Sequence, residues 1–105
     1  MSNTSLDKDL YAGLIRLHVL HHADEHAVFG QWIIDELARH GYKVSAGTVY
    51  PLLYGLERKG YLRATLHRKD GRQRRLYRIT PAGRRALGAA KIKVQELFGE
   101  LFEES

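Results

Sequence analysis

The chain has 105 residues, of which 44% are apolar and none is cysteine. That length holds one domain with a small core, the apolar content argues against disorder, and the missing thiols exclude disulfides and thiolate metal sites. The net charge is +5, yet eleven of the 17 Lys and Arg lie between Arg58 and Arg85 with Asp70 as the only acid among them, an asymmetry that points to a polyanion-binding face.

No apolar run approaches a membrane span, and the N-terminus lacks a basic region followed by an apolar one. The expectation is therefore a cytoplasmic chain with no membrane partner. Met1 to Ser5 reads as a frayed terminus. From about Leu6 to His22 the pattern is helical, with Leu6, Leu10, Leu14, Leu17, Val19 and Leu20 spread around much of the circumference. A helix that is apolar on more than one side is buried on more than one side, and in so small a domain a second chain can supply the cover.

Four histidines follow: His18, His21, His22 and His26. His18 and His22 share a helical face, but the four form no defined ligand motif and no thiolate completes a tetrahedral set. The expectation is no metal site and no cofactor. Ala27 to His40 reads as a second helix with Ile33, Ile34, Leu37 and Ala38 on its stripe. Gly30 on that face would admit a close neighbour, and Trp32 falls off it. Gly41 ends this helix.

Ser45 to Gly60 reads as a third helix. Ser45 is placed to cap it by accepting from a backbone N–H near Thr48, and Val49, Leu52, Leu53 and Leu56 form the apolar stripe. Gly47, Pro51, Tyr54, Gly55 and Arg58 occupy the opposite face, and Gly60 is placed for a left-handed cap. Pro51 predicts an irregular first turn, because a proline inside a helix deletes a hydrogen bond. Two helices, a short glycine-containing connection and a third helix with a polar front form a helix-turn-helix pattern.

After Gly60 the period changes to two. Leu62, Ala64 and Leu66 point one way; Tyr61, Arg63, Thr65 and His67 point the other. Lys69-Asp70-Gly71-Arg72-Gln73 predicts a turn, and Arg74 to Ile79 a returning strand. Arg68, Lys69, Arg72, Arg74 and Arg75 crowd the hairpin tip, a self-repulsive arrangement that a nucleic-acid backbone would neutralise. Thr80-Pro81 then starts a last helix running to about Glu103, with Thr80 as N-cap. Its stripe of Leu87, Val94, Leu97, Phe98, Leu101 and Phe102 is too long for a domain this small to cover, which predicts pairing with a second chain.

The fold class expected is mainly α with a β-hairpin wing: a winged helix-turn-helix over residues 1–80 and a C-terminal dimerisation helix over 81–105 packed on the same domain. Within that class, G-T-V-Y-P-L-L-Y-G-L-E-R-K-G-Y-L from Gly47 to Leu62 resembles the recognition-helix signature of the PadR family of transcriptional regulators. R-R-L-Y-R-I-T-P-A-G-R-R-A-L from Arg74 to Leu87 resembles that family's second wing strand and the start of its last helix. Phe29 and Gln31 depart from the His-Gly-Tyr often found around Gly30, and the short last helix is similar to that of the small subfamily.

The resemblance implies a homodimer that binds double-stranded DNA at a palindromic operator as a repressor. It also implies that some members take a small aromatic effector at the dimer interface. Dimers of the family pair through the first and last helices, which assigns Leu10 and Leu14 together with Val94, Leu97, Phe98, Leu101 and Phe102 to that contact. On this reading Ser45 and Thr48 take phosphate oxygens at the helix start. Tyr50 and Tyr54 contact backbone or base edges, Pro51 shares their face, and Arg58 reaches phosphate. Arg72 and Arg74 enter the minor groove, while Arg68, Lys69 and Arg75 contact phosphate. The alternative from another class is a winged-helix protein–protein interaction module. No nucleophile–base pair, paired carboxylates in a cleft or phosphate loop supports an enzyme.

Overall fold

The computed structural model describes residues 7–103; the terminal segment Met1 to Ser5 and the helical start placed at Leu6 lie outside them. Asp7 caps the first helix, its Oδ1 accepting from the Leu10 backbone N–H at 3.1 Å. The helix, α1 (Lys8–Glu25), runs one turn further than its pattern predicts and buries Ile15, Val19, Leu20 and Ala23. Leu10 and Leu14 lie on its open side.

The expected second helix begins later than Ala27. Val28–Phe29 forms a short strand, β1, and α2 (Gly30–Arg39) follows directly. Two residues are too few to show a period, and β1 exists because the later hairpin offers it an edge. Gly41 (φ +89°) turns the chain towards α3 (Ala46–Arg58), whose apolar stripe of Val49, Leu52, Leu53 and Leu56 is fully buried. Gly60 follows it with φ +82°, the left-handed conformation expected of the residue after a helix.

The wing is a hairpin of β2 (Leu62–Lys69) and β3 (Arg72–Ile79). It is longer at the tip than the sequence predicts: the turn is Asp70-Gly71 alone, with φ +53° and +75°. Those are the two positive φ values that match a tight hairpin turn to strand twist. The sheet has the order β1-β3-β2, with Val28 opposite Tyr77 and Phe29 opposite Leu76. Near its base the hairpin buries Leu62, Tyr77 and Ile79 against the helices.

Thr80 and Pro81 start α4 (Pro81–Phe98) as expected, with Thr80 Oγ1 accepting from the Gly83 N–H at 2.9 Å. Thr80 also ties the helix to the end of α3: its N–H donates to the Tyr61 carbonyl and its hydroxyl to that of Gly60. Gly83 packs so closely on Tyr61 that a side chain there would overlap the carbonyl oxygen and Ile79. Arg84 holds Asp24 at the end of α1 at 2.7 Å. Beyond Leu87 no residue of α4 is buried, and Gly99–Glu103 continues as a π-helix rather than as the α-helix expected to Glu103. The molecule is accordingly 57 Å in its longest dimension and 20 Å in its shortest.

Candidate nucleic-acid interface

The exposed side of α3 presents Ser45, Gly47, Pro51, Tyr54 and Arg58, with Thr48 half-buried beside them. Ser45 occupies the N-cap position, but its side chain makes no capping hydrogen bond. Its backbone carbonyl instead accepts from both Thr48 and Val49 N–H at 3.0 Å. The expected side-chain cap is replaced by a shared, tightened first turn. The Ser45 hydroxyl and the leading N–H groups therefore remain available where the helix carries partial positive charge. Pro51 stands inside an unbroken helix from Ala46 to Arg58, six residues after the doubly accepting Ser45 carbonyl.

Tyr50 does not share the outward face. It is half-buried against the core, with its ring over Gly30 so closely that a Cβ on Gly30 would lie 2.5 Å from the ring and hydroxyl. The small residue expected to admit a helix admits this ring, which locks α3 onto α2. Tyr54, 6.2 Å away, is the tyrosine left at the surface. A cation that the sequence reading missed joins the helix start: Lys8 Nζ lies 3.4 Å from Thr48 Oγ1. The two are 40 positions apart, so no local pattern could have paired them.

The wing sorts its charges by the alternation of its strands. Arg63 faces Arg78, His67 faces Arg74 and Lys69 faces Arg72, and these pairs share one side of the ribbon. Like charges directly opposite one another are destabilising in a sheet, so a folded wing with this face calls for an anionic partner. Arg74 lies over the Phe29 ring at 5.0 Å, which gives β1 a role in steadying the wing. None of Arg58, Arg68, Lys69, Arg72 and Arg74 makes an ion pair among the described residues.

Arg75 is different. It lies on the other side of the ribbon, with Leu66 and Tyr77, and reaches α3. Its Nη2 donates to both Glu57 oxygens at 2.7 and 2.9 Å, and its Nε donates to the Tyr77 hydroxyl at 3.2 Å. Those bonds, Glu57 first, hold its guanidinium above its ordinary pKa, while burial raises the Tyr77 phenol against the lowering pull of Arg75. The guanidinium expected on phosphate is engaged inside the protein, as a clamp between wing and third helix. Tyr54, Glu57, Arg58 and Arg75 line one surface recess at that junction.

The residues expected at a dimer contact lie in the open. Leu10 is 69% exposed, Phe98 48% and Phe102 72%, and Leu14, Val94, Leu97 and Leu101 are exposed with them. Ile92 joins them without having been expected. The Phe98 and Phe102 rings lie tilted at 4.9 Å, and α1 and α4 flank a groove of about 540 Å³ lined by Leu14, Leu17, Leu87, Val94 and Phe98.

A three-helix core carrying a polar-fronted third helix, clamped to a basic two-stranded wing, defines a winged helix-turn-helix DNA-binding protein. Residues 19–89 match the Transcriptional regulator PadR-like family, and the chain belongs to that family. Transcriptional regulator Rv3488 of Mycobacterium tuberculosis is 47% identical over 94 residues, spanning 90% of this chain and 88% of its own length. A crystal structure of a PadR family transcriptional regulator from Eggerthella lenta superposes with a TM-score of 0.79 at 30% identity, over 92% of this chain and 88% of that one. A PadR-like transcription factor from Bacteroides fragilis has the same fold, with a TM-score of 0.80 at 23% identity over 90% and 92% of the two chains. Among the described residues no helix is long and apolar enough to cross a membrane.

Proposed function

We propose that this transcriptional regulator acts in the cytoplasm as a homodimeric repressor of a palindromic operator. The observation that carries the reading is the Arg75–Glu57 clamp. It fixes the wing to α3, while Arg58, Arg68, Lys69, Arg72 and Arg74 make no ion pair among the described residues. Helix α3 enters a major groove, with Ser45, Thr48 and Lys8 at phosphates and Tyr54 and Pro51 against base edges or sugar. Lys69, Arg72 and Arg74 reach the neighbouring minor groove and its phosphates. Arg58 and Arg68 add backbone contacts.

The second copy covers the apolar sides of α1 and α4. Exposed Leu10, Leu14, Ile92, Val94, Leu97, Phe98, Leu101 and Phe102 form a run of apolar surface too long to be incidental. A self-complementary contact through it is a twofold dimer. Two recognition helices then face half-sites about one DNA turn, or 10 bp, apart. The groove between α1 and α4 is apolar with Lys91, Gln95, His18 and His21 at its edges, a lining that suits a small aromatic effector.

Selection of bound duplexes from a random pool tests the reading. The expected product is an inverted repeat with half-site centres one turn apart. A pool that stays random after repeated rounds at low salt would reject DNA recognition and favour a protein partner for the wing.

A further inference from the structure

We infer that His18, His22, His40 and Glu36 form a binding site for a divalent transition metal ion of the zinc class, joining α1 to α2. His18 and His22 stand one turn apart on α1, while Glu36 stands one turn before His40, which directly follows α2. The two pairs face each other. One ligating nitrogen from each of His18, His22 and His40 lies within 4.8 Å of the other two. The His18 and His40 rings are 4.9 Å apart, and the His18–His22 and His22–His40 rings 6.1 Å.

His22 carries most of the inference. It is 92% buried by its residual exposure of 8%, and its Nε2 has no hydrogen-bond partner among the described residues. Glu36 Oε2 is 3.6 Å away, beyond hydrogen-bond reach. A buried imidazole nitrogen left unpartnered calls for an explanation, and a metal aimed at by that lone pair supplies one. The same Glu36 oxygen is 3.1 Å from His40 Nε2, which places a carboxylate beside the three nitrogens. Tetrahedral coordination at Zn–N distances near 2.0–2.1 Å brings ligand atoms to about 3.3 Å from one another. Small rotations of His18 and the exposed His40 close the gap.

The chemistry of the set agrees. Three imidazoles and one carboxylate suit zinc, cobalt or nickel, not the all-oxygen shells of calcium or magnesium. Burial, followed by the neighbouring His40, His22 and His21, lowers the His18 pKa; burial also lowers that of His22, against the pull of Glu36.

The sequence alone gave no metal site because it grouped His18 and His22 with His21 and His26. The fold sends His26 elsewhere, onto the Ala27 carbonyl and into a T-shaped contact with Trp32, and brings in Glu36 from α2 and His40 from its C-terminal end. A second trio, His21, His22 and Glu25, shares His22 but has two exposed members and draws on one helix only. The test must separate the two. The inference does not depend on the DNA reading, since it is measured on the protein alone.

Trp32, the single tryptophan, lies 5.4 Å from the His22 ring and reports the site directly. Co²⁺ is titrated into the full chain while tryptophan fluorescence and visible absorbance are followed, then Zn²⁺ is added in competition. One ion per chain is expected, with quenching of Trp32, displacement by Zn²⁺ and a raised thermal midpoint in Zn²⁺. His40→Ala alters an exposed position and Glu36→Gln keeps the shape of a side chain only 11% exposed, and circular dichroism checks the fold of both. They and His18→Ala should weaken binding by about 100-fold or more, at or beyond the upper end of what losing an outer-shell partner costs. His21→Ala and Glu25→Ala should retain it. No saturable binding, or binding that survives His18→Ala and His40→Ala but is lost in His21→Ala, would overturn the assignment.

Discussion

The wing's share of DNA binding can be isolated with the double variant Arg72→Ala, Arg74→Ala. Both side chains are exposed at the tip, on the same side of the ribbon as Lys69 and His67, and neither forms an ion pair among the described residues. Removing them therefore costs the fold little beyond the Arg74 contact on Phe29, worth about 0.5–1 kcal/mol. Each phosphate neutralised on duplex DNA adds about 0.9 to the slope of log affinity against log salt, so four arginines removed from a dimer should flatten that slope by about 3.6. Between 50 and 200 mM salt this amounts to roughly 150-fold less loss of affinity than in the unaltered chain. The assay is fluorescence anisotropy on a labelled operator over that range, with the thermal midpoint as a control for folding. If only one wing engages, the flattening is half as large. A double variant whose slope stays within about 0.5 of the parent would refute the assignment of wing arginines to DNA phosphates.

Gly83→Ala sets helix propensity against packing. Alanine is favoured in a helix interior by about 1 kcal/mol, but its Cβ would overlap the Tyr61 carbonyl that accepts from Thr80. The expected outcome is a net loss of about 2–3 kcal/mol by urea denaturation, overpacking and a loosened cap outweighing propensity. Gly88→Ala on the open side of the same helix meets nothing within 4 Å and should instead raise stability. An equal response at both sites would rule out close packing as the reason for Gly83. Arg75→Ala removes a half-exposed ion pair worth about 0.5–1 kcal/mol and strips the buried Tyr77 hydroxyl of its partner at about 1–3 kcal/mol. The loss should be near 2 kcal/mol in thermal unfolding, and an unchanged midpoint would show that the clamp contributes nothing. Phe98→Glu with Phe102→Glu should convert the proposed dimer to monomers in sedimentation while leaving the circular dichroism of the core intact. A persisting dimer would move the interface away from the end of α4.

Much of the fold was legible because its signals are local. The Thr80 cap, the Gly41 and Gly60 stops, the Asp70-Gly71 turn and the change of period at Leu62 each act within a few residues. The structure places each of them near the position its chemistry indicates. Ser45 shows the limit even of a local rule. It stands at the cap position, but its backbone carbonyl rather than its hydroxyl closes the first turn. The family could be read from two motifs for the same reason, since both are contiguous runs.

By itself, then, the sequence determined the order of the helices and the hairpin, the amphipathic faces and the concentration of positive charge between Arg58 and Arg85. These follow from composition and from periods of 3.6 and two, which need no knowledge of what lies across the core. The tertiary structure decided which partners each face meets. It gave β1 its edge on β3, turned Tyr50 inward onto Gly30, brought Lys8 to Thr48, committed Arg75 to Glu57 and set His40 and Glu36 opposite His18 and His22. The Arg75–Glu57 pair spans 18 positions and the Lys8–Thr48 pair 40. A side chain's chemistry is fixed by its residue type, but which group satisfies it is fixed only when packing brings distant segments within reach.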